Sequence, residues 1–441
     1  MVHHLYVHVP FCVRRCSYCD FSIAVRKRVP GSEYVHAVLR ELDLLRTSPG
    51  WANPAAVPRG PKATGTHLPQ PRGPKATGTQ PPQPRGPKAT GTQPPQPRGP
   101  EATGTHLPQP RGPEATDLDT LYLGGGTPSL LPAPDLARLL TSLLDAFRST
   151  PSLDGVEVTL EANPEDVTPD AVQAWRSAGV NRVSLGAQSF DDAVLKWMHR
   201  SHESARIGEA VRTLRQGGID NISLDLIFAL PDELQRDWGR DLDQALALRP
   251  THVSLYGLTV EPRTPLDRWI SRGATHLPAD ERYADEYLLA HRRLTADGYL
   301  FYEVSNASLH GFISRHNSAY WSGRSYLGLG PAAHSFDGTT RRWNIPAWEA
   351  YRRAIAEGRS PIASEETLTP EQQELERIYL ALRTSEGLDT GHCRPLPPVA
   401  AQWVEQGWLE QAGPRFRCTP EGWLRLDALV PKLFVAKELA T

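Results

Sequence analysis

The chain has 441 residues, 39% hydrophobic and 22% charged, enough for two or three domains around a sizeable buried core. Its formal net charge of -2 sets up no long-range field that would gather nucleic acid or anionic lipid, so no nucleic-acid partner is expected. No apolar run reaches the ~18 residues of a membrane span, and Met1-Val2-His3-His4-Leu5-Tyr6 lacks the charged-then-apolar order of a signal peptide; the expected location is the cytoplasm.

In chain order, Leu5 to Val9 reads as a strand that runs through Pro10 into Cys12-Val-Arg-Arg-Cys16-Ser-Tyr-Cys19. A helix follows over Glu33 to Leu45, with Ser32 as its expected cap. From Pro58 a 13-residue unit, Pro-Arg-Gly-Pro-Lys/Glu-Ala-Thr-Gly-Thr-x-x-Pro-Gln, repeats with copies at Pro58, Pro71, Pro84, Pro97 and Pro110. Its prolines remove backbone donors and it has almost no large apolar side chain to offset the cost of ordering, so 49–116 is expected to be a disordered insert. A duplication tolerated in a surface loop explains it more simply than a docking tract for a proline-recognising partner.

Further strands are expected at Thr120 to Leu123, Val156 to Leu160, Arg182 to Leu185, Ile222 to Ile227 and His252 to Tyr256. Helices lie between them, one opened by Thr168 with Pro169 in its first position, another running Glu203 to Gln216 and closed by Gly217-Gly218. Six βα units in series predict an α/β fold, a partial (βα)6 barrel with a parallel curved sheet. Beyond about Leu266 that rhythm stops in aromatic-rich sequence. Helix-like Glu371 to Thr384, then Val399 to Gly407, then a hairpin over Trp408 to Cys418 predict a winged-helix-like end, with a packing rather than nucleic-acid role given Glu365, Glu366, Glu371, Glu374 and Glu376.

Only five cysteines are present, and Cys12, Cys16 and Cys19 crowd into one loop, which suits metal binding in a reducing compartment better than a disulfide framework. Three thiolates can hold three irons of a cubane and leave the fourth open to a cofactor. A zinc site completed by His8, or inert buried thiols, are the alternatives. Cys393 and Cys418 fall outside any ligand spacing and read as structural. The other strand candidates end in Gly124-Gly125-Gly126-Thr127-Pro128, Glu161-Ala162-Asn163-Pro164, Gln188, Asp225 and Tyr256, and strand carboxyl ends in α/β barrels converge on one cavity.

The CxxxCxxC loop and the Gly-Gly-Gly-Thr-Pro turn resemble the radical SAM superfamily, and within it the oxygen-independent coproporphyrinogen III oxidase group, over the whole chain except the repeat insert. The resemblance implies a [4Fe-4S] cluster on Cys12, Cys16 and Cys19, with the amino and carboxylate groups of S-adenosylmethionine (SAM) on the open iron. It implies Tyr6, Gly125, Thr127, Glu161, Gln188, Arg200 and Asp225 as SAM contacts, and reductive cleavage of SAM to a 5'-deoxyadenosyl radical. Coproporphyrinogen dehydrogenases carry a further cysteine two residues after the third, where this chain has Cys19-Asp20-Phe21.

That departure resembles instead the HemW branch, whose members are haem chaperones. His316-Asn317-Ser318-Ala319-Tyr320-Trp321 resembles its HNxxYW signature, implicated in haem binding, and Tyr326 to Ser335 resembles the same branch. The resemblance implies haem held by His316 with Tyr320 and Trp321, His334 being a weaker second ligand. It also implies transfer to an acceptor haemoprotein, a respiratory membrane protein in the family pattern, so that any membrane association is peripheral and through that partner. Conversion of coproporphyrinogen III to protoporphyrinogen IX is the alternative activity, and whether the chain forms a homodimer is left open. The expected organisation is 1–48 as first βα unit with the cluster loop, 49–116 as insert, 117–265 as the rest of the barrel, 266–364 as the extension bearing HNxxYW, and 365–441 as the C-terminal domain.

Overall fold

A computed structural model describes residues 2–47, 118–147, 155–392 and 399–432. The expected repeat insert, 49–116, and Cys393 lie outside the described residues.

Strand β1 (His4–Val9) leads into two short parallel-paired segments, β2 (Phe11–Cys12) and β3 (Ala24–Val25), which tie off the cysteine loop at its base. Helix α1 (Gly31–Thr47) begins one residue before the expected cap Ser32, because the Tyr34 amide already bonds the Pro30 carbonyl. Then follow β4 (Thr120–Gly125), α2 (Ala133–Phe147), β5 (Glu157–Ala162), α3 (Pro169–Ser177), β6 (Arg182–Gln188), α4 (Asp192–Trp197), α5 (Ser204–Gln216), β7 (Asn221–Phe228), α6 (Trp238–Ala247) and β8 (His252–Gly257). All six expected strands are present, in the parallel order β1-β4-β5-β6-β7-β8. The caps act as their chemistry predicts: the Thr168 hydroxyl accepts from the Ala171 amide, and α5 ends at Gly217 with Gly218 left-handed at φ 80°.

Each strand alternates. Leu5, Val7 and Val9, then Leu121 and Leu123, Val158 and Leu160, Val183 and Leu185, Leu224 and Leu226, and Val253 and Leu255 are buried in the main hydrophobic cluster. The opposite face carries His4, Tyr6 and His8, then Thr120 and Tyr122, Glu157, Thr159 and Glu161, Arg182 and Ser184, Ser223 and Asp225, and His252 and Ser254. Because side chains of a strand have period two, this sheet has one apolar face against helices and one polar face lining a lumen.

The stretch after Leu266 does more than end the barrel. Helices α7 (Pro265–Ser271) and α8 (Asp280–Ala296) lead to β9 (Leu300–Glu303) and β10 (Asn306–Ser308), which add antiparallel to β8. After α9 (Arg315–Trp321), β11 (Leu327–Leu329) adds parallel to β1 at the other edge, giving nine strands in all. The expected division at 266 therefore does not separate the sheet, which draws strands from both sides of it. A second sheet, β12 (His334–Phe336), β13 (Thr340–Asn344) and β14 (Ile362–Thr367), brackets α10 (Trp348–Ala356).

The C-terminal segment carries the expected helices and hairpin: α11 (Pro370–Arg383) opens on a Thr369/Gln372 capping box, and β15 (Leu388–Asp389), α12 (Val399–Glu405), β16 (Leu409–Ala412) and β17 (Arg415–Cys418) follow. Cys418 is buried with its thiol pushed up to about 12 by desolvation, in keeping with a structural role.

Candidate functional site

The cysteine loop is held over the carboxyl ends of the strands. The Ala24 amide bonds the Pro10 carbonyl and the Arg26 amide the Cys12 carbonyl, closing the lobe, while buried Ser17 bonds Met198 and Leu266 through its backbone. All three thiols are free and partly exposed. The Cys12 sulfur lies 3.4 Å from the Thr127 hydroxyl, and the Arg200 guanidinium donates to the Cys16 sulfur at 3.6 Å. Burial raises the thiol pKa of Cys12 and pushes that of Cys19 up to about 12, so metal loading must displace protons.

The residues fit an iron-sulfur cluster. Soft sulfur donors sit beside a fixed cation, and the Arg200 Nε is a buried donor with no partner among the described residues. The zinc alternative is not supported: the His8 Nδ1 is bonded to the Tyr6 hydroxyl at 3.1 Å and its Nε2 to the Ser22 carbonyl at 3.2 Å.

Beside the loop, the glycine turn is bound tightly to the lumen. Gly125 has φ 112°, and a Cβ there would stand 2.6 Å from the His8 ring, so only glycine fits. Its amide donates to Glu161 Oε2 at 3.0 Å, and the Tyr122 hydroxyl donates to Oε1 at 2.9 Å. Desolvation, with the charge of Asp225 adding, lifts the Glu161 carboxyl to about 7 against those two bonds. Asp225 is likewise raised by burial, opposed by the Ser184 hydroxyl at 3.0 Å. Gln188 ends β6 after a register shift, with φ 67°, and Arg200 Nη2 bonds the Gly186 carbonyl at 3.0 Å and the Asn163 side chain. The structure thus gathers Tyr6, Gly125, Thr127, Glu161, Gln188, Arg200 and Asp225 about the lumen and its upper rim. Here carboxylates can accept from hydroxyl or ammonium groups and a guanidinium can face a carboxylate.

His316, Tyr320 and Trp321 take a different place. Helix α9 plugs the floor of the lumen, where the amides of Arg315 and His316 donate to the Glu157 carboxylate at 2.9 and 3.0 Å. His316 is 1% exposed; its Nδ1 bonds the Thr120 hydroxyl at 2.7 Å and its Nε2 the Tyr320 hydroxyl at 2.9 Å. Its ring stacks on Tyr122 at 5.0 Å, and burial, with His4 and Arg182 adding, lowers its pKa to about 3. Trp321 lies under the Arg383 guanidinium at 4.2 Å. The expectation that His316 presents a nitrogen to haem therefore meets a ring with both nitrogens engaged, at the end of the strands remote from the cysteines.

Sequence reasoning passed over the lumen residues between these two ends, among them His4, Tyr122, Arg182, Ser184 and His252. The signal was available as polar alternation within strands otherwise rich in valine and leucine.

A family model described as the radical SAM superfamily matches residues 112–245. The chain is 32% identical over 433 residues to a Mycobacterium tuberculosis protein named "Heme chaperone HemW", covering 97% of this chain and 94% of that protein. A protein of the same name from Escherichia coli is 30% identical over 443 residues, covering 98% of each. Among solved structures, coproporphyrinogen III oxidase (HemN) from Escherichia coli, a radical SAM enzyme, superposes with TM-score 0.68 at 18% identity, covering 98% of this chain and 89% of that one. That likeness establishes the fold.

Proposed function

The chain belongs to the HemW family of the radical SAM superfamily, and from that membership and the site's geometry we propose that it binds a [4Fe-4S] cluster, SAM and haem, and delivers the haem to an acceptor haemoprotein. One observation carries the cluster and SAM part. Cys12, Cys16, the Gly125–Thr127 turn, Glu161 and Arg200 are linked by direct contacts at one end of a polar lumen. Cys12, Cys16 and Cys19 would hold the cluster. When bound, it supplies one electron for reductive cleavage of SAM.

The protein's own groups do the rest. Arg200 faces Cys16 with fixed positive charge, which favours any carboxylate set beside it. Gly125 lets a ligand approach the backbone. Glu161, poised near neutrality, accepts hydrogen bonds in its charged form. The backbone of Ser17 ties the cysteine loop to Met198 and Leu266 and so fixes its position.

For haem, the support is membership in a family whose members are named as haem chaperones. No helix among the described residues is long and apolar enough to cross a membrane, so a membrane-bound respiratory acceptor would be met from outside the bilayer. The rival activity, decarboxylation of coproporphyrinogen III, is disfavoured by exposed Phe21, which offers no thiol where the dehydrogenases carry their further cysteine.

Anaerobic reconstitution with iron and sulfide analysis, followed by haem titration and incubation of reduced protein with SAM and coproporphyrinogen, tests both readings. About four irons per chain, saturable haem binding and no protoporphyrinogen support the chaperone. Protoporphyrinogen formation would overturn it.

A further inference from the structure

Asn317 follows His316 on α9, at the floor of the lumen, and its side chain donates to the Tyr302 hydroxyl, a bond that favours the phenolate. The Tyr302 hydroxyl in turn lies 2.8 Å from His252 Nε2. His252 is fully buried, and its Nδ1 lies 2.8 Å from the Ser223 hydroxyl, which donates to Asp225 Oδ1 at 3.2 Å. Four contacts therefore run from α9 through β9, β8 and β7 to a lumen carboxylate. The register requires this course: His252 is paired with Ser223, and Asp225 follows two residues along the same face of β7.

The chain has one direction. A hydroxyl and a neutral imidazole each carry a single proton to donate, so a donor at one end fixes every link. The Tyr302 oxygen accepts from Asn317, so its own proton goes to His252 Nε2. Burial, with the charge of Arg182 adding, keeps the imidazole neutral, and its proton therefore sits on Nδ1 and goes to the Ser223 oxygen. The Ser223 proton is left for Asp225. Ser254, 3.2 Å from Ser223, is the other acceptor within reach, and it too donates to Asp225, so both routes end on the same carboxylate. Among the described residues the His252 ring has no hydrogen bonds besides those to Tyr302 and Ser223, so the direction cannot be rerouted there.

Asp225 is buried and depends on such donors to stay charged; Ser184 bonds both of its oxygens at 3.0 Å. Packing alone would require only that each buried polar group find a partner. This arrangement also dictates which end donates, and the residue that dictates it is on a different element from the carboxylate that receives.

We infer that Asn317 is a positioning residue for Asp225: acting through Tyr302, His252 and Ser223, it points a train of donors at the carboxylate, which then presents its remaining lone pairs to SAM. This rests on the reading of Asp225 as a SAM contact. It gives α9 a part in the SAM site without touching the ligand.

The test is SAM equilibrium dialysis on cluster-loaded full-length protein near pH 8, joined to nitrogen-15 NMR of histidine-labelled protein, the His252 signals being those lost in His252→Gln. Asn317→Asp sets an acceptor where a donor stood, so the Tyr302 proton turns away from His252, Nε2 becomes the donor, and Ser223 gives its proton to Nδ1 instead of Asp225. SAM affinity should fall about 2–10-fold, as for one lost hydrogen bond, and the His252 proton should move from Nδ1 to Nε2. Ser223→Ala should weaken SAM binding by a similar factor, and adding Asn317→Asp to it should weaken binding no further, a non-additivity that loosened packing would not produce. Tyr302→Phe, which deletes the intervening hydroxyl, should likewise add nothing to Ser223→Ala. Additive losses, or a His252 proton that does not move, overturn the inference. If Asp225→Asn weakens SAM binding while Asn317→Asp does not, the inference alone falls. If Asp225→Asn leaves SAM affinity intact, the reading of Asp225 falls and the inference with it.

Discussion

Replacing His316 by glutamine separates a structural plug from a haem ligand. The imidazole bridges Thr120 and Tyr320, whereas a glutamine amide reaches one of them. Thr120 retains His4 as a partner at 3.0 Å, so the Tyr320 hydroxyl is the group left buried and unpaired. That costs about 1–3 kcal/mol near pH 8.

Acid adds a second signature. The folded ring titrates at about 3 against 6.5 in the unfolded chain, so below 6.5 the unfolded state takes up the proton first. Stability is intact above pH 6.5 and is lost as pH falls toward 3. At about pH 5 the difference in protonation amounts to about 1.5 pH units, or about 2 kcal/mol. Urea denaturation near pH 8 and near pH 5, followed by circular dichroism, should therefore find His316→Gln less stable at the higher pH. The gap should shrink by about 2 kcal/mol at the lower pH. Equal pH dependence in the two proteins, or unchanged stability near pH 8 together with lost haem binding, would refute the plug.

Three further outcomes are expected. Gly125→Ala forces a Cβ to 2.6 Å from the His8 ring at a φ of 112°, costing about 1–3 kcal/mol; thermal melts and SAM equilibrium dialysis on cluster-loaded protein should both register it. In the wild type, SAM affinity should rise with pH through about 7, as Glu161 ionises, and level off above; Glu161→Gln should flatten the profile, and a flat wild-type profile would remove Glu161 from the site. Arg200→Lys keeps the charge but lacks the fork that serves Cys16, Asn163 and Gly186 together, so SAM binding should fall; wild-type affinity would count against that role.

Much of the site was legible because it is local. Cys12, Cys16 and Cys19 lie in one turn, Gly124 to Thr127 are consecutive, and Thr168, Pro169 and Gly217 punctuate helices by backbone chemistry that operates over a few residues. Glu161, Gln188 and Asp225 were readable as strand ends, since parallel strands joined by helices all point the same way. The start of α1 at Gly31 rather than after Ser32 is a difference of end geometry that composition does not specify.

His316 marks where the sequence stopped. It stands in a motif-like stretch, and nothing local shows that both its nitrogens are committed. The bond between Thr120 and His316 spans 196 positions, and the Gly328 to Tyr6 pairing exists only because β11 returns to the first strand. The sequence by itself determined the six-unit parallel barrel, the cluster loop and the rim of polar strand ends, because those follow from periodicity and turn chemistry. Tertiary structure alone decided that α9 closes the floor of the lumen, because burial and hydrogen-bond saturation belong to the partners a side chain meets, not to the residues that flank it.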